Sequence, residues 1–131
     1  MPLATDFETI VIGGGPAGST TAALLAMKGL KVLILERELF PRSHVGESLL
    51  PASLPIFDSL GVRDAIDNAG FLKKYGAAMV WGNERSIWSW LFAETKGPYS
   101  HSYQVTRPEF DTILLDNARE KGVHVREQCQ V

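Results

Sequence analysis

The sequence predicts an α/β fold, a parallel sheet with an antiparallel sheet inserted between its strands, on three observations. A strand at Thr9–Ile12 runs into a glycine-rich turn, an apolar helix pattern and a second strand at Lys31–Leu35. Three strand-like stretches then follow one another with no helix between them. A helix pattern at Arg107–Lys121 finally leads into Val123–Val131, which reads as a third parallel strand, postponed by the insertion.

Taken in order, the first unit already carries chemistry. Gly13 allows a sharp exit from the first strand, Gly15 allows backbone to touch a pyrophosphate, and Gly18 lets the helix lie close to the sheet. Pro16 suits the first helical turn, because its φ is already helical and its missing N–H would have no partner there. The N–H groups around Pro16 and Ala17 then face the phosphates, where a helix end contributes about 0.3 to 1 kcal/mol per anion. Glu36 stands at the end of the second strand, at the spacing where an acid accepts hydrogen bonds from the adenosine ribose and disfavours a 2′-phosphate. Strand, turn, helix, strand and acid in this order read as the start of a dinucleotide-binding βαβ unit.

The middle of the chain reads differently. A loop with Pro41, Gly46 and Pro51 precedes a helix from about Ser48 to Leu60 and a short one near Val62 to Asn68. The strand-like stretches are Gly76–Trp81, Arg85–Phe92 and Ser102–Thr106, with Gly82-Asn83-Glu84 turning between the first two. Residues from about 74 to 106 thus contribute an inserted antiparallel sheet, and alternation puts Trp88 and Trp90 on one of its faces. In the returning helix Phe110, Ile113, Leu114, Asn117, Ala118 and Lys121 share a face, and Gly122 stops it. An open parallel edge and a half-built antiparallel sheet both need further chain to cover them, so the expectation is the incomplete N-terminal part of a larger fold.

Composition narrows the classes. At 131 residues and 45% hydrophobic content the chain is an ordinary globular sequence, not a disordered one. A net charge of −2 with scattered basic residues gives no reason to expect nucleic acid or an anionic membrane. The N-terminus has neither a basic start nor an apolar signal core, and no stretch reaches spanning length, so the expected location is cytoplasmic. Cys129, the single cysteine, falls within the last strand and reads as a buried structural thiol. His44, His101 and His124 are too widely spaced for a metal site and read as packing or surface residues.

With these residues laid out, the chain resembles the flavin-dependent monooxygenase superfamily of aromatic hydroxylases, geranylgeranyl reductases and flavin-dependent halogenases. Three motifs carry the resemblance: Gly13-Gly-Gly-Pro-Ala-Gly18 with Glu36-Arg37, Phe40-Pro-Arg-Ser-His-Val-Gly-Glu-Ser48, and Arg107-Pro-Glu-Phe-Asp111. It implies a Rossmann-like FAD-binding domain over residues 1–131, with Arg37 beside Glu36 in the first motif and Arg107 reaching the FAD pyrophosphate or ribose. The bland alternative for Arg107 is a surface charge at a helix start. The second motif runs beside the flavin in related proteins. It implies close backbone approach at Gly46 and a phosphate partner in Arg42, while Glu47 and Ser48 either contact flavin or cap the following helix.

The segment Gly70-Phe-Leu-Lys-Lys-Tyr-Gly-Ala-Ala-Met-Val-Trp-Gly82 resembles the halogenases that act on pyrrole, phenol or similar rings, often bound to a carrier protein. In that family a lysine in this stretch is catalytic, which implies Lys74 first and Lys73 second. Hypohalous acid, made from reduced flavin, oxygen and halide, has to be held and polarised beside the substrate. An ammonium donates to it, or a neutral amine forms a chloramine. The alternative is a solvated turn with two lysines. Trp88-Ser-Trp90 is similar to the start of the family's Trp-x-Trp-x-Ile-Pro signature, but Leu91-Phe92 departs from its continuation.

The resemblance therefore implies the FAD-binding part of a halogenase acting on an electron-rich aromatic ring. Its reduced flavin would come from a separate reductase, and residues 1–131 alone would be inactive. A related FAD-dependent monooxygenase or geranylgeranyl-reductase-like enzyme, and a truncated non-catalytic FAD-binding module, stand as the competing readings.

Overall fold

The structure, a computed structural model, describes residues 6–131; the amino-terminal stretch read for a leader lies largely outside them. The chain divides into two compact units, one formed by residues up to 45 together with Arg107–Val131, the other by Gly46–Thr106.

The first unit is a parallel sheet with two helices. Strands β1 (Thr9–Ile12), β2 (Val32–Leu35) and β7 (His124–Arg126) lie in the order β1-β2-β7, with Ile10 opposite Leu33 and Ile34 opposite Val125. β2 is the central strand, so Val32, Leu33 and Ile34 are all buried, as the unbroken apolar run requires. Helix α1 (Pro16–Ala26) buries Ser19, Ala22 and Ala23, small side chains that let it pack closely. Helix α4 (Arg107–Glu120) ends one residue before the expected Lys121. Its buried stripe also differs from the expected face: Arg107, Asp111, Leu115 and Ala118, at successive helical spacings, join Phe110, Leu114 and Asn117, while Ile113 is half-buried. The last strand is three residues rather than nine, and Gln128, at φ 57, follows it in a left-handed conformation. Cys129 therefore lies beyond the strand and is half-buried, its N–H donating to the Glu36 carbonyl at 2.8 Å.

The second unit departs at its start from the expected helix. No helix starts at Ser48: Leu50 is extended (φ −111, ψ 156) because Pro51 follows it, a single 3₁₀ turn spans Pro51–Ser53, and α2 runs only over Leu54–Leu60. α3 follows at Arg63–Asn68. Leu54, Phe57, Leu60, Val62 and Ile66 from this helical pair are buried, as are Phe92, Tyr103 and Val105.

The strands form two antiparallel pairs rather than one sheet. β4 (Gly76–Trp81) pairs with β5 (Ser86–Leu91) across a turn at 82–85, where Gly82 and Arg85 both have positive φ, and so Arg85 belongs to the turn. Phe92 opens a 3₁₀ turn instead of extending β5. Trp88 and Trp90 stack with ring centroids 4.6 Å apart, on one face as the alternation requires. The other pair joins β6 (Ser102–Gln104) to β3 (Leu72–Lys74), a strand the polar Lys73-Lys74 pair conceals in the sequence.

Candidate functional site

The glycine-rich turn is built by three separate constraints. Gly13 has φ +98, a left-handed conformation that costs other L-residues roughly 1–2 kcal/mol, and its N–H donates to the Leu35 carbonyl at 2.8 Å. Gly15 is the residue before α1 (φ −67, ψ −177); Pro16 follows at the first helical position, and no side chain caps the helix. The N–H groups of that first turn are left to an external acceptor. A Cβ on Gly18 would overlap the Gly13 carbonyl oxygen, so α1 approaches β1 as closely as it does only with glycine there. Ala17, beside it in the first turn, is exposed.

Glu36 has a double commitment. It is buried, and its carboxylate accepts from the Gly14 N–H at 2.6 Å and from the Glu38 N–H at 2.8 Å, one bond on each oxygen. Each oxygen keeps a lone pair for a further donor, so the acid both clasps the turn to the end of β2 and stays able to accept from a ribose. A cleft of about 340 Å³ opens beside it, lined by Ile12, Gly13, Gly15, Glu36, Arg37 and Arg42 among others. Arg37 is an exposed wall of that cleft, 4.0 Å from Glu38.

Two of the three predicted arginines, Arg42 and Arg107, converge on one buried acid. Asp111 has no solvent exposure; Arg107 binds it in a fork, Nε to Oδ1 at 2.8 Å and Nη2 to Oδ2 at 2.9 Å, and Arg42 Nη1 reaches Oδ2 at 2.7 Å. Arg107 also donates to the Val45 carbonyl, and Arg42 pairs with Glu38 at 3.1 Å. Arg42 Nη2 lies 3.2 Å from where a Gly15 Cβ would stand, which puts this guanidinium at the edge of the turn. Asp111 and Glu38 balance the two guanidiniums, and the cluster holds Arg42 beside the open helix end. Sequence reading singled out the arginines and missed Asp111 as their anchor; the available signal was its position four residues after Arg107, on the same helix face.

In the second unit Gly46 takes a left-handed conformation (φ +94), and Glu47 and Ser48 then run antiparallel along β6. The Glu47 carbonyl accepts from Val105 N–H at 2.8 Å, the Leu49 N–H donates to Tyr103 at 2.9 Å, and Ser48 bridges Gln104 antiparallel. Ser48 does not cap a helix; its hydroxyl accepts from Lys74 Nζ at 2.6 Å. Lys74 Nζ also lies 5.4 Å from the centre of the Phe92 ring.

Strand alternation separates the two lysines. Lys74 is opposite Ser102 and Lys73 opposite Tyr103, so they project to opposite faces. On the Tyr103 face, the Tyr103 hydroxyl donates to Asp67, and Asp67 pairs with Arg63 at 3.3 Å. The Tyr103 hydrogen bond, then Arg63, holds the Asp67 carboxyl below its usual range; burial raises the Tyr103 phenol. Burial first, then the Lys73 and Arg63 charges, pushes His101 down.

A helix start kept open for an anion by glycines, beside an acid on the neighbouring strand, is how α/β proteins bind a dinucleotide, and the first unit is of that class. Residues 6–131 match the family model described as FAD binding domain, and the chain belongs to this family. The residues present fit FAD, since the open helix start and the space at Gly15 suit a pyrophosphate.

Over all of its residues the chain is 48% identical to the tryptophan 2-halogenase of Chondromyces crocatus, of which it covers 24%. It is 38% identical to a 1H-pyrrole-2-carbonyl-(peptidyl-carrier protein) chlorinase of Pseudomonas fluorescens, over 96% of this chain and 32% of that protein. The structure of the myxobacterial chondrochloren halogenase CndH superimposes with a TM-score of 0.85 at 50% identity, over 93% of this chain and 28% of that one. The chain thus spans about a quarter to a third of the length of these relatives. Among the described residues no group of His, Cys, Asp and Glu side chains is disposed to hold a metal, and no helix is long and apolar enough to cross a membrane.

Proposed function

We propose that the chain supplies the FAD-binding part of a flavin-dependent halogenase acting on an electron-rich aromatic ring, free or carrier-bound. The observation that carries this reading is the likeness of the whole chain to halogenases, with Lys74 held on a short strand. Reduced FAD would supply the two electrons that, with oxygen, halide and a proton, give hypohalous acid and water.

The chain's own residues do the rest. The first turn of α1, with Gly13, Gly15, Pro16, Ala17 and Gly18, binds the pyrophosphate; Glu36 accepts from the ribose; Arg37, Arg42 and Arg107 offer guanidinium N–H donors along the cofactor. Gly46, Glu47 and Ser48 form the stretch that passes the flavin. Lys74 holds and polarises the hypohalous acid through its ammonium, so that the ring takes halogen and releases a proton. Lys74 is favoured over Lys73 because the latter faces Tyr103 and the Asp67 network. A separate reductase delivers reduced flavin, the protein works in the cytoplasm, and residues 1–131 alone do not turn over.

The test is Lys74→Ala in the full-length product, assayed by mass spectrometry of halogenated aromatic. Loss of at least a hundredfold is expected, with FAD still bound. Unchanged product formation would sink the halogenase reading and favour a related FAD oxidoreductase.

A further inference from the structure

Lys74 Nζ donates a hydrogen bond to Ser48 Oγ at 2.6 Å. It is not a chance meeting of two surface side chains. β6 lies between the Ser48 stretch and β3, and both ladders are fixed by backbone: Ser48 bridges Gln104 on one side, and Lys74 stands opposite Ser102 on the other. Residues 102 and 104 share a face, so Ser48 and Lys74 share it too. Ser102 is small and fully buried, which lets the lysine stem cross over β6 toward Ser48. Two strand spacings, about 10 Å, and a two-residue stagger, about 7 Å along the strand, are spanned by one lysine side chain and one hydroxyl.

We propose that Ser48 is a positioning residue for Lys74, fixing the ammonium between its own hydroxyl and the face of Phe92. A free lysine samples many rotamers, whereas one donor anchored on Ser48 leaves the other two N–H groups in a defined direction. Positioning of this kind raises the rate of a proton-assisted step without touching the substrate. The proposal rests on the catalytic reading of Lys74, and it gives the Ser48 hydroxyl a task distinct from contact with flavin.

Ser48→Ala and Ser48→Thr in the full-length product test it, with Lys74→Ala as reference. The first readout is acetylation of Lys74 by acetic anhydride, measured by peptide mass spectrometry against Lys73 in the same molecule. Ser48→Ala is expected to raise the Lys74:Lys73 ratio about fivefold, because the amine is released, and Ser48→Thr to restore it. The second is turnover: kcat about tenfold lower in Ser48→Ala, KM and FAD affinity unchanged, and near-normal values in Ser48→Thr. An unchanged labelling ratio would overturn the proposal, as would a loss of turnover that saturating FAD restores. If Lys74→Ala is inactive while Ser48→Ala turns over normally, the positioning role alone fails. If Lys74→Ala remains active, the halogenase reading fails first and takes this one with it.

Discussion

Gly15 and Gly18 sit three residues apart in one motif, yet alanine should harm them in different ways. A Cβ built on Gly18 would lie 1.9 Å from the Gly13 carbonyl oxygen and 3.3 Å from Val11 Cγ1, against ordinary contact distances of 3.4 Å or more. Both obstacles belong to the β1 end of the turn, so relief requires the start of α1 to move. Overpacking of this kind costs roughly 1–3 kcal/mol or more, and a rigid backbone obstacle places Gly18→Ala at the upper end, about 3 kcal/mol. Alanine is otherwise favoured over glycine in a helix by about 1 kcal/mol, so the observed loss is what remains after that gain. At Gly15 the nearest atom to a new Cβ is Arg42 Nη2 at 3.2 Å, the far end of a side chain that can yield by tenths of an ångström, and the backbone angles suit alanine. Gly15→Ala should therefore cost under about 1 kcal/mol of stability, while the methyl occupies the space a pyrophosphate needs and lowers FAD affinity about a hundredfold. Thermal unfolding of the flavin-free protein and FAD titration by flavin fluorescence separate the two. Gly18→Ala should lower Tm by about 10 °C and Gly15→Ala by about 3 °C or less. Equal Tm losses in the two variants, or an unchanged Tm in Gly18→Ala, would refute the reasoning.

Three further outcomes follow from the same geometry. Asp111→Asn leaves two guanidiniums around a neutral amide and should destabilise the protein by about 3 kcal/mol, read as a lower urea midpoint with an unchanged slope. Glu36→Gln presents an amide N–H to either the Gly14 or the Glu38 N–H, and should cost about 2 kcal/mol in urea unfolding as well as weakening FAD binding. His101 is held below its ordinary value, so the unfolded chain takes the proton more readily than the folded one. Its contribution is intact above about pH 6.5 and is lost as pH falls from there through the folded value. Asp67, held low chiefly by Tyr103, adds a second loss only below about pH 4. Urea midpoints across pH 4.5–8 should decline on the acid side in the native protein and stay flatter in His101→Gln.

Local rules made the first unit legible. Thr9–Ile12, the turn, Pro16 at the helix start and the acid at Glu36 each announce themselves within a few residues, and all fall where the pattern puts them. What escaped depends on partners distant in sequence. Arg42 and Asp111 are 69 residues apart, so the sequence marks Asp111 locally only as a helical neighbour of Arg107 and not as a partner of Arg42. β3 is a strand because β6 lies beside it, not because Leu72-Lys73-Lys74 favours extension. The late start of α2 has a local cause: Pro51 holds Leu50 extended and bars a helix from passing through it.

The alternation of Lys73 and Lys74 on β3 has a consequence for which changes of length the chain can tolerate. A strand slipped by one residue exchanges its two faces. One residue gained or lost between α3 and β3, in the short Ala69-Gly70-Phe71 connection, would turn Lys73 to the Ser48 side and Lys74 toward Tyr103. Both side chains would still be lysines and composition would hardly change, yet the amine reaching Ser48 would belong to Lys73 instead of Lys74. Tyr103 guards against this slip, because its hydroxyl is tied to Asp67 on α3, the helix from which the connection departs. The connection thus works as a ruler, one that permits substitution at its marks but not a change in their number.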